Sequence, residues 1–142
     1  MASESDQVQY QLANPPGRIS RALPLFLAEQ VEFGSNAYSL TLVPWVTGPN
    51  PSFAVSGVAW SDEKAADYAK QSNIQSGYIV TSHIQSKNEP WIAEVRIIRT
   101  RDGNCIGQLS ENFLMPDPVD AFQRLARQLL DPSSTVWRPR IP

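Results

Sequence analysis

A chain of 142 residues with 42% hydrophobic and 18% charged side chains has the length and apolar content of one globular domain, which excludes a disordered, highly charged segment. Its 12 Lys+Arg against 14 Asp+Glu give a formal net charge of −2. With no basic block to neutralise a run of phosphates, nucleic acid is not an expected partner. The single cysteine, Cys105, excludes an internal disulfide, and no uninterrupted apolar run reaches membrane length.

In chain order, the polar start Met1–Asp6 has neither the basic nor the apolar stretch of an export leader, so the chain reads as soluble. That reading fits the cytoplasm and, with a leader removed, the periplasm equally. Gln7–Ala13 alternates, with Val8, Tyr10 and Leu12 against Gln7, Gln9 and Gln11, which is the period of a strand with one wet side. Asn14-Pro15-Pro16-Gly17 reads as a break. Arg18–Phe33 carries Ile19, Ala22, Leu23, Phe26, Leu27 and Val31 at spacings of three and four and so predicts a helix. Pro24 inside it predicts a kink, or a regular helix that begins near Leu23. After Gly34-Ser35-Asn36, Ala37–Val46 predicts a strand, Gly48-Pro49-Asn50-Pro51 a loop, and Phe53–Trp60 a further strand.

Ser61 followed by Asp62 and Glu63 predicts a helix start, carrying Ala65, Ala66, Tyr68 and Ala69 and ending near Asn73. The most legible stretch comes next. Gly77–Gln85, Pro90–Thr100 and Asn104–Phe113 are strand-like runs separated by Ser86–Glu89 and Arg101-Asp102-Gly103, so the chain doubles back twice into a meander. The first of these runs is two-sided in character, which predicts a place in the middle of the sheet. Val119–Leu130 then predicts an amphipathic helix with Val119, Phe122, Leu125, Ala126, Leu129 and Leu130 on one stripe, lying across the sheet. The expected fold class is α/β, a mixed β-sheet with helices packed on it, in the order βαβ(β)αβββα. Residues 1–131 are expected to form one domain and 132–142 a Pro-rich tail or linker.

Chemistry is sparse along this framework. His83, the only histidine, sits mid-strand without a neighbouring nucleophile or ligand set, and Cys105 follows a turn as a small strand residue. Asp62, Glu63, Asp117 and Asp120 fall at helix starts, where backbone dipoles account for them without a catalytic role. Glu94, Arg96, Arg99 and Arg101 are expected to pair across strands or at the surface. Gly103 and Gly107 flank a strand with no helix in reach, which excludes a phosphate loop. No catalytic residue, metal site or cofactor is expected, and the pattern argues against an enzyme. Trp45, Trp60 and Trp91 lie in or beside strands and read as packing residues. Trp137, followed by Arg138, lies outside every periodic segment and reads either as an anchor for a neighbouring domain or as a tail folded back on its own domain.

Three runs carry a resemblance. They are Ala66-Asp67-Tyr68-Ala69 through Ser76-Gly77-Tyr78-Ile79-Val80-Thr81 to Ile84, Trp91-Ile92-Ala93-Glu94-Val95-Arg96-Ile97-Ile98-Arg99-Thr100-Arg101-Asp102-Gly103, and Phe122 to Leu130. Together they resemble the TolB amino-terminal-domain-like group, whose accessory domains also occur in FlgO- and CsgG-like envelope proteins and ahead of tetratricopeptide arrays. The opening strand departs from that group's apolar run, and Ser82 stands where a glycine is usual. The resemblance implies a bacterial, non-enzymatic module of a larger or envelope-associated protein and carries over no catalytic residue. The expected function is protein interaction or regulation through an exposed sheet edge or the Pro44–Pro51 loop. Trp45, Phe53, Trp137 and Arg138 are its candidate contact residues, and a homo-oligomer through the sheet edge is a further possibility. The alternative is a small-ligand sensor with a pocket between helix and sheet, in which case a polar-lined cavity near His83 is expected.

Overall fold

Two prolines open the first helix instead of breaking the chain ahead of it. A computed structural model of the chain describes residues 15–35, 39–41, 45–46, 48–49, 52–53, 59–72, 75–114 and 117–131. Helix α1 spans Pro15–Gly34, three residues earlier than the apolar spacing predicts. The reason is that the first turn of a helix leaves its N–H groups unbonded, so a missing one costs nothing there, and proline's fixed φ already suits the helix. The expected break at Asn14–Gly17 is corrected accordingly. Pro24 lies within α1, which continues through it to Gly34. Leu23 and Leu27 on either side are buried and hold the turn against the rest of the domain.

Within the predicted strand Ala37–Val46 the described residues place β1 at Trp45–Val46, and near the predicted strand Phe53–Trp60 they place β2 at Ser52–Phe53. Residues 39–41 and 59–60 are irregular. Ser39 explains part of this: its hydroxyl donates to the Ala28 carbonyl at 2.8 Å and its N–H to Glu32 Oε2 at 3.3 Å, so side bonding to α1 replaces strand pairing. β1 and β2 form a two-stranded antiparallel ribbon with Trp45 opposite Phe53 and Val46 opposite Ser52. The predicted strand at 7–13 lies outside the described residues, as does the tail 132–142.

Helix α2 spans Asp62–Gln71, capped by the Ser61 side chain, which accepts from the Lys64 N–H at 3.2 Å. Strands β3 (Tyr78–Gln85), β4 (Trp91–Arg99) and β5 (Cys105–Phe113) form the meander, and helix α3 spans Val119–Leu130. The molecule is therefore α/β, with helices packed on a sheet. Among the described residues every strand pair is antiparallel, against the mixed sheet expected.

The sheet order is β3-β4-β5, which corrects the expected central position of β3: among the described residues it is β4 that has a neighbour on each side. Burial shows why. Ala93, Val95, Ile97 and Ile98 of β4 are all buried, whereas Tyr78 and Val80 of β3 are 39% and 40% exposed. The two-sided look of β3 in sequence comes from Thr81, His83 and Gln85 on one face and the half-exposed Tyr78 and Val80 on the other.

Register sorts the side chains. Ala93, Val95 and Ile97 of β4 share a face with Ile84 of β3 and with Leu109 and Phe113 of β5, and α1 and α3 cover that face. The core joins Ile19, Leu23, Leu27 and Val31 of α1 to Phe122, Leu125 and Leu129 of α3 across it. Aromatic rings run through this layer from Trp91 to Phe113, Phe122 and Phe26, at centroid distances of 6.1, 6.2 and 6.0 Å. On α3 the buried stripe is Ala121, Phe122, Leu125, Ala126 and Leu129, so the predicted stripe gains Ala121, while Val119 at the helix start is 55% exposed.

Candidate functional site

The opposite face of the sheet carries a different chemistry. By register it presents Thr81, His83 and Gln85 of β3, Ile92, Glu94 and Arg96 of β4, and Gln108, Ser110 and Asn112 of β5. Among the described residues helix α2 covers one end of it. There Ala65 and Ala66 pack on Ile98, with Trp60 and Ile79 at the margin. Trp60 stacks edge-on against Tyr68 at 5.1 Å, and the Lys64 ammonium lies 5.0 Å above its ring, so Trp60 is a packing residue as expected.

Arg96 dominates the centre of this face. Its Nε donates to Asp62 Oδ1 at 2.8 Å and its Nη2 to Asp62 Oδ2 at 2.7 Å, a bidentate pair that ties the first turn of α2 to the sheet. Its Nη1 donates to Gln108 Oε1 at 3.0 Å, and Glu94 lies 3.9 Å away. The hydrogen bond from Arg96 holds the Asp62 carboxyl below its ordinary range, against partial burial that acts the other way. Asp62 lies in the first turn of α2 as expected, and its carboxylate also ties that turn to the sheet.

Two further ties follow the same pattern. Arg99 donates to Asp102 across the β4–β5 turn at 2.6 Å, and Asp102 Oδ1 accepts from the Asn104 N–H at 3.0 Å. Both bonds, that from Arg99 first, lower the Asp102 pKa. Gly103 completes that turn at φ +71°, a left-handed conformation that glycine adopts without strain. On the covered face, Glu111 accepts from Arg124 at 2.9 Å and from Gln128 at 2.6 Å, fastening α3 to β5. Asp117 Oδ1 accepts from the Val119 N–H at 3.4 Å at the α3 start, in keeping with its expected role.

His83 and Cys105 share the open face without meeting. His83 is opposite Glu94 and Cys105 opposite Ile98, so the two are separated by two strand spacings and four residue steps, roughly 16 Å. The Cys105 thiol donates to the Gly107 carbonyl at 3.2 Å. Among the described residues no group of three or more His, Cys, Asp or Glu side chains is placed to hold a metal ion. An open depression is lined by Ser61, Glu63, Lys64, Asp67, Tyr68 and Gln71 along α2, away from His83.

Of the candidate contact residues, Trp45 and Phe53 are brought to one register position of the β1–β2 ribbon. Trp137 and Arg138 lie outside the described residues. The local pairings Arg99–Asp102 and Arg101–Asp102 follow from neighbouring positions in sequence. Sequence reasoning did not find the Arg96–Asp62 pair, whose members are 34 positions apart and carry no spacing signal. The exposed Tyr78 and Val80 were also missed, because their strand was expected at the centre of the sheet.

Fold and surface together define an α/β domain built on an antiparallel meander, with one helix-covered face and one polar face. Among the described residues no helix is long and apolar enough to cross a membrane. Comparison with protein-family models, curated proteins and solved structures gives no match for this chain.

Proposed function

We propose that this chain is a non-catalytic docking module that receives an extended segment of a partner protein along β3. The observation that carries the reading is the outer margin of β3, where Tyr78 and Val80 are 39% and 40% exposed while Val95, Ile97 and Ile98 of the adjoining strand are buried. An edge strand offers backbone donors and acceptors in a row, and alternating apolar side chains add selectivity for an added strand. The pairing of Arg96, Arg99 and Arg124 within the fold supports the same reading, since these groups already serve as ties between elements. The resemblance to accessory domains of bacterial envelope proteins, carried by residues 66–103 and 122–130, agrees with a role inside a larger assembly. The β1–β2 ribbon with Trp45 and Phe53 is a second contact region of the same module.

A photo-crosslinking residue substituted in turn at Val80, Lys87 and Ser110 of the full chain tests this in the cells that make it. The expected result is a discrete heterologous adduct from position 80 and none from position 87 or 110. Equal labelling from all three positions, or none from position 80, contradicts the proposal.

A further inference from the structure

The phase of the β3–β4 pairing decides which backbone groups the margin of β3 offers. The Thr100 N–H donates to the Gly77 carbonyl at 3.0 Å, just ahead of a register that runs without a shift from Tyr78 opposite Arg99 to Gln85 opposite Ile92. In an antiparallel ladder alternate residues exchange bonds with the neighbouring strand, and the residues between them turn their N–H and C=O groups the other way. Ile79, Thr81, His83 and Gln85 therefore bond to β4, and Tyr78, Val80, Ser82 and Ile84 point their backbone groups outward. Among the described residues β4 is the one strand beside β3, so no strand pairs with that outward row. At Tyr78 the row is closed by other means. The Tyr78 N–H donates to Ser76 Oγ at 3.3 Å, and the Ser76 hydroxyl donates to the Tyr78 carbonyl. One side chain thus holds both outward groups of that residue, and the open part of the edge runs from Val80 to Ile84.

We propose that the docked segment is held by the outward backbone groups of Val80, Ser82 and Ile84, with Ser76 as the stop that ends it before Tyr78. This rests on the docking reading and specifies the chemistry of the partner. Side chains of directly opposed residues share a face. The segment residues opposite Val80 and Ile84 therefore fall on the helix-covered side, where Val80 is partly exposed and Ile84 packs against the core. Valine or isoleucine suits these two positions, and a small residue suits the one between them, opposite Ser82. The intervening residues lie beside Thr81 and His83 on the polar face and are polar. Edge strands are ordinarily protected by charge, yet Tyr78–Gln85 contains no Lys, Arg, Asp or Glu. A charged residue on the helix-covered side of the segment would find no counter-ion on β3, so the segment is uncharged there. Tyr78 contributes its ring at the end of the footprint, while its backbone stays with Ser76.

The test repeats photo-crosslinking from position 80 of the full chain, in the cells that make it, in two backgrounds. Ser82→Pro removes one outward N–H and no bond to β4, a change that an edge strand accommodates. It should cut the adduct at least tenfold while the purified chain still unfolds cooperatively on heating. Ser76→Ala releases the Tyr78 groups for pairing and should raise the adduct at least twofold, a gain that misfolding cannot produce. In lysate the wild-type adduct should hold within about twofold from about 50 to about 500 mM NaCl, because no charge of β3 takes part. An undiminished adduct in folded Ser82→Pro, a Ser76→Ala yield at or below wild type, or a tenfold fall with salt would each overturn the proposal and leave docking along β3 in place. Absence of any adduct from position 80 in wild type removes the docking reading, and this proposal with it.

Discussion

Arg96 makes hydrogen bonds to Asp62 on α2 and Gln108 on β5, so one side chain joins three elements. With about a quarter of each side chain exposed, the Arg96–Asp62 pair is partly screened, and Asp62→Asn is expected to cost about 1–2 kcal/mol at neutral pH. The pH dependence follows from the lowered Asp62 pKa. The folded value lies below the unfolded one, near 4, so the stabilisation is complete above that pH and is lost as pH falls through the folded value. Denaturant unfolding of wild type and Asp62→Asn should therefore differ at pH 7 and converge below about pH 4. Thr100 supplies a contrasting case: it is buried, and its Oγ1 has no hydrogen-bond partner among the described residues. Thr100→Val keeps the shape and removes the unsatisfied hydroxyl, so it should raise stability by about 1 kcal/mol in the same unfolding experiment. At this scale sequence was informative where partners are neighbours. The Arg99–Asp102 tie is three positions long and could be anticipated, whereas Arg96–Asp62 depends on where α2 comes to rest.

Elements were more legible than their margins. The Val119–Leu130 helix and the Tyr78–Phe113 meander were foreseen closely because period and turn chemistry agree over long runs. The short segments between α1 and α2 were not, because Ser39 bonds to α1 and removes residues 39–41 from strand pairing, a competition that apolar content does not reveal. Sheet order also escaped the sequence, since a polar residue on β3 looks alike whether it faces a helix or water. The helices differ in what holds them. Leu125 of α3 is fully buried between sheet and α1, so Leu125→Ala should lower unfolding stability by about 2–5 kcal/mol. Ser61 caps α2 by one exposed bond, and Ser61→Ala should cost only about 1 kcal/mol. Equal losses from the two changes in chemical denaturation would mean that α2 is bound to the sheet far more tightly than its small alanine face allows.

At the scale of the whole molecule, one face of the sheet is closed by α1 and α3 and, among the described residues, the other is largely open and polar, with β3 at the margin. His83 and Cys105 belong to the open face but stand apart on it, and Arg96 between them is occupied by Asp62 and Gln108. The proposed docking role therefore rests on the β3 margin, with the reactive side chains as bystanders. The most direct measurement is photo-crosslinking from position 80 compared across two further backgrounds, Tyr78→Asp and His83→Ala/Cys105→Ser. The account expects the adduct to be lost in the first and unchanged in the second. Loss of the adduct on removing the imidazole and thiol, with Tyr78→Asp silent, would contradict it.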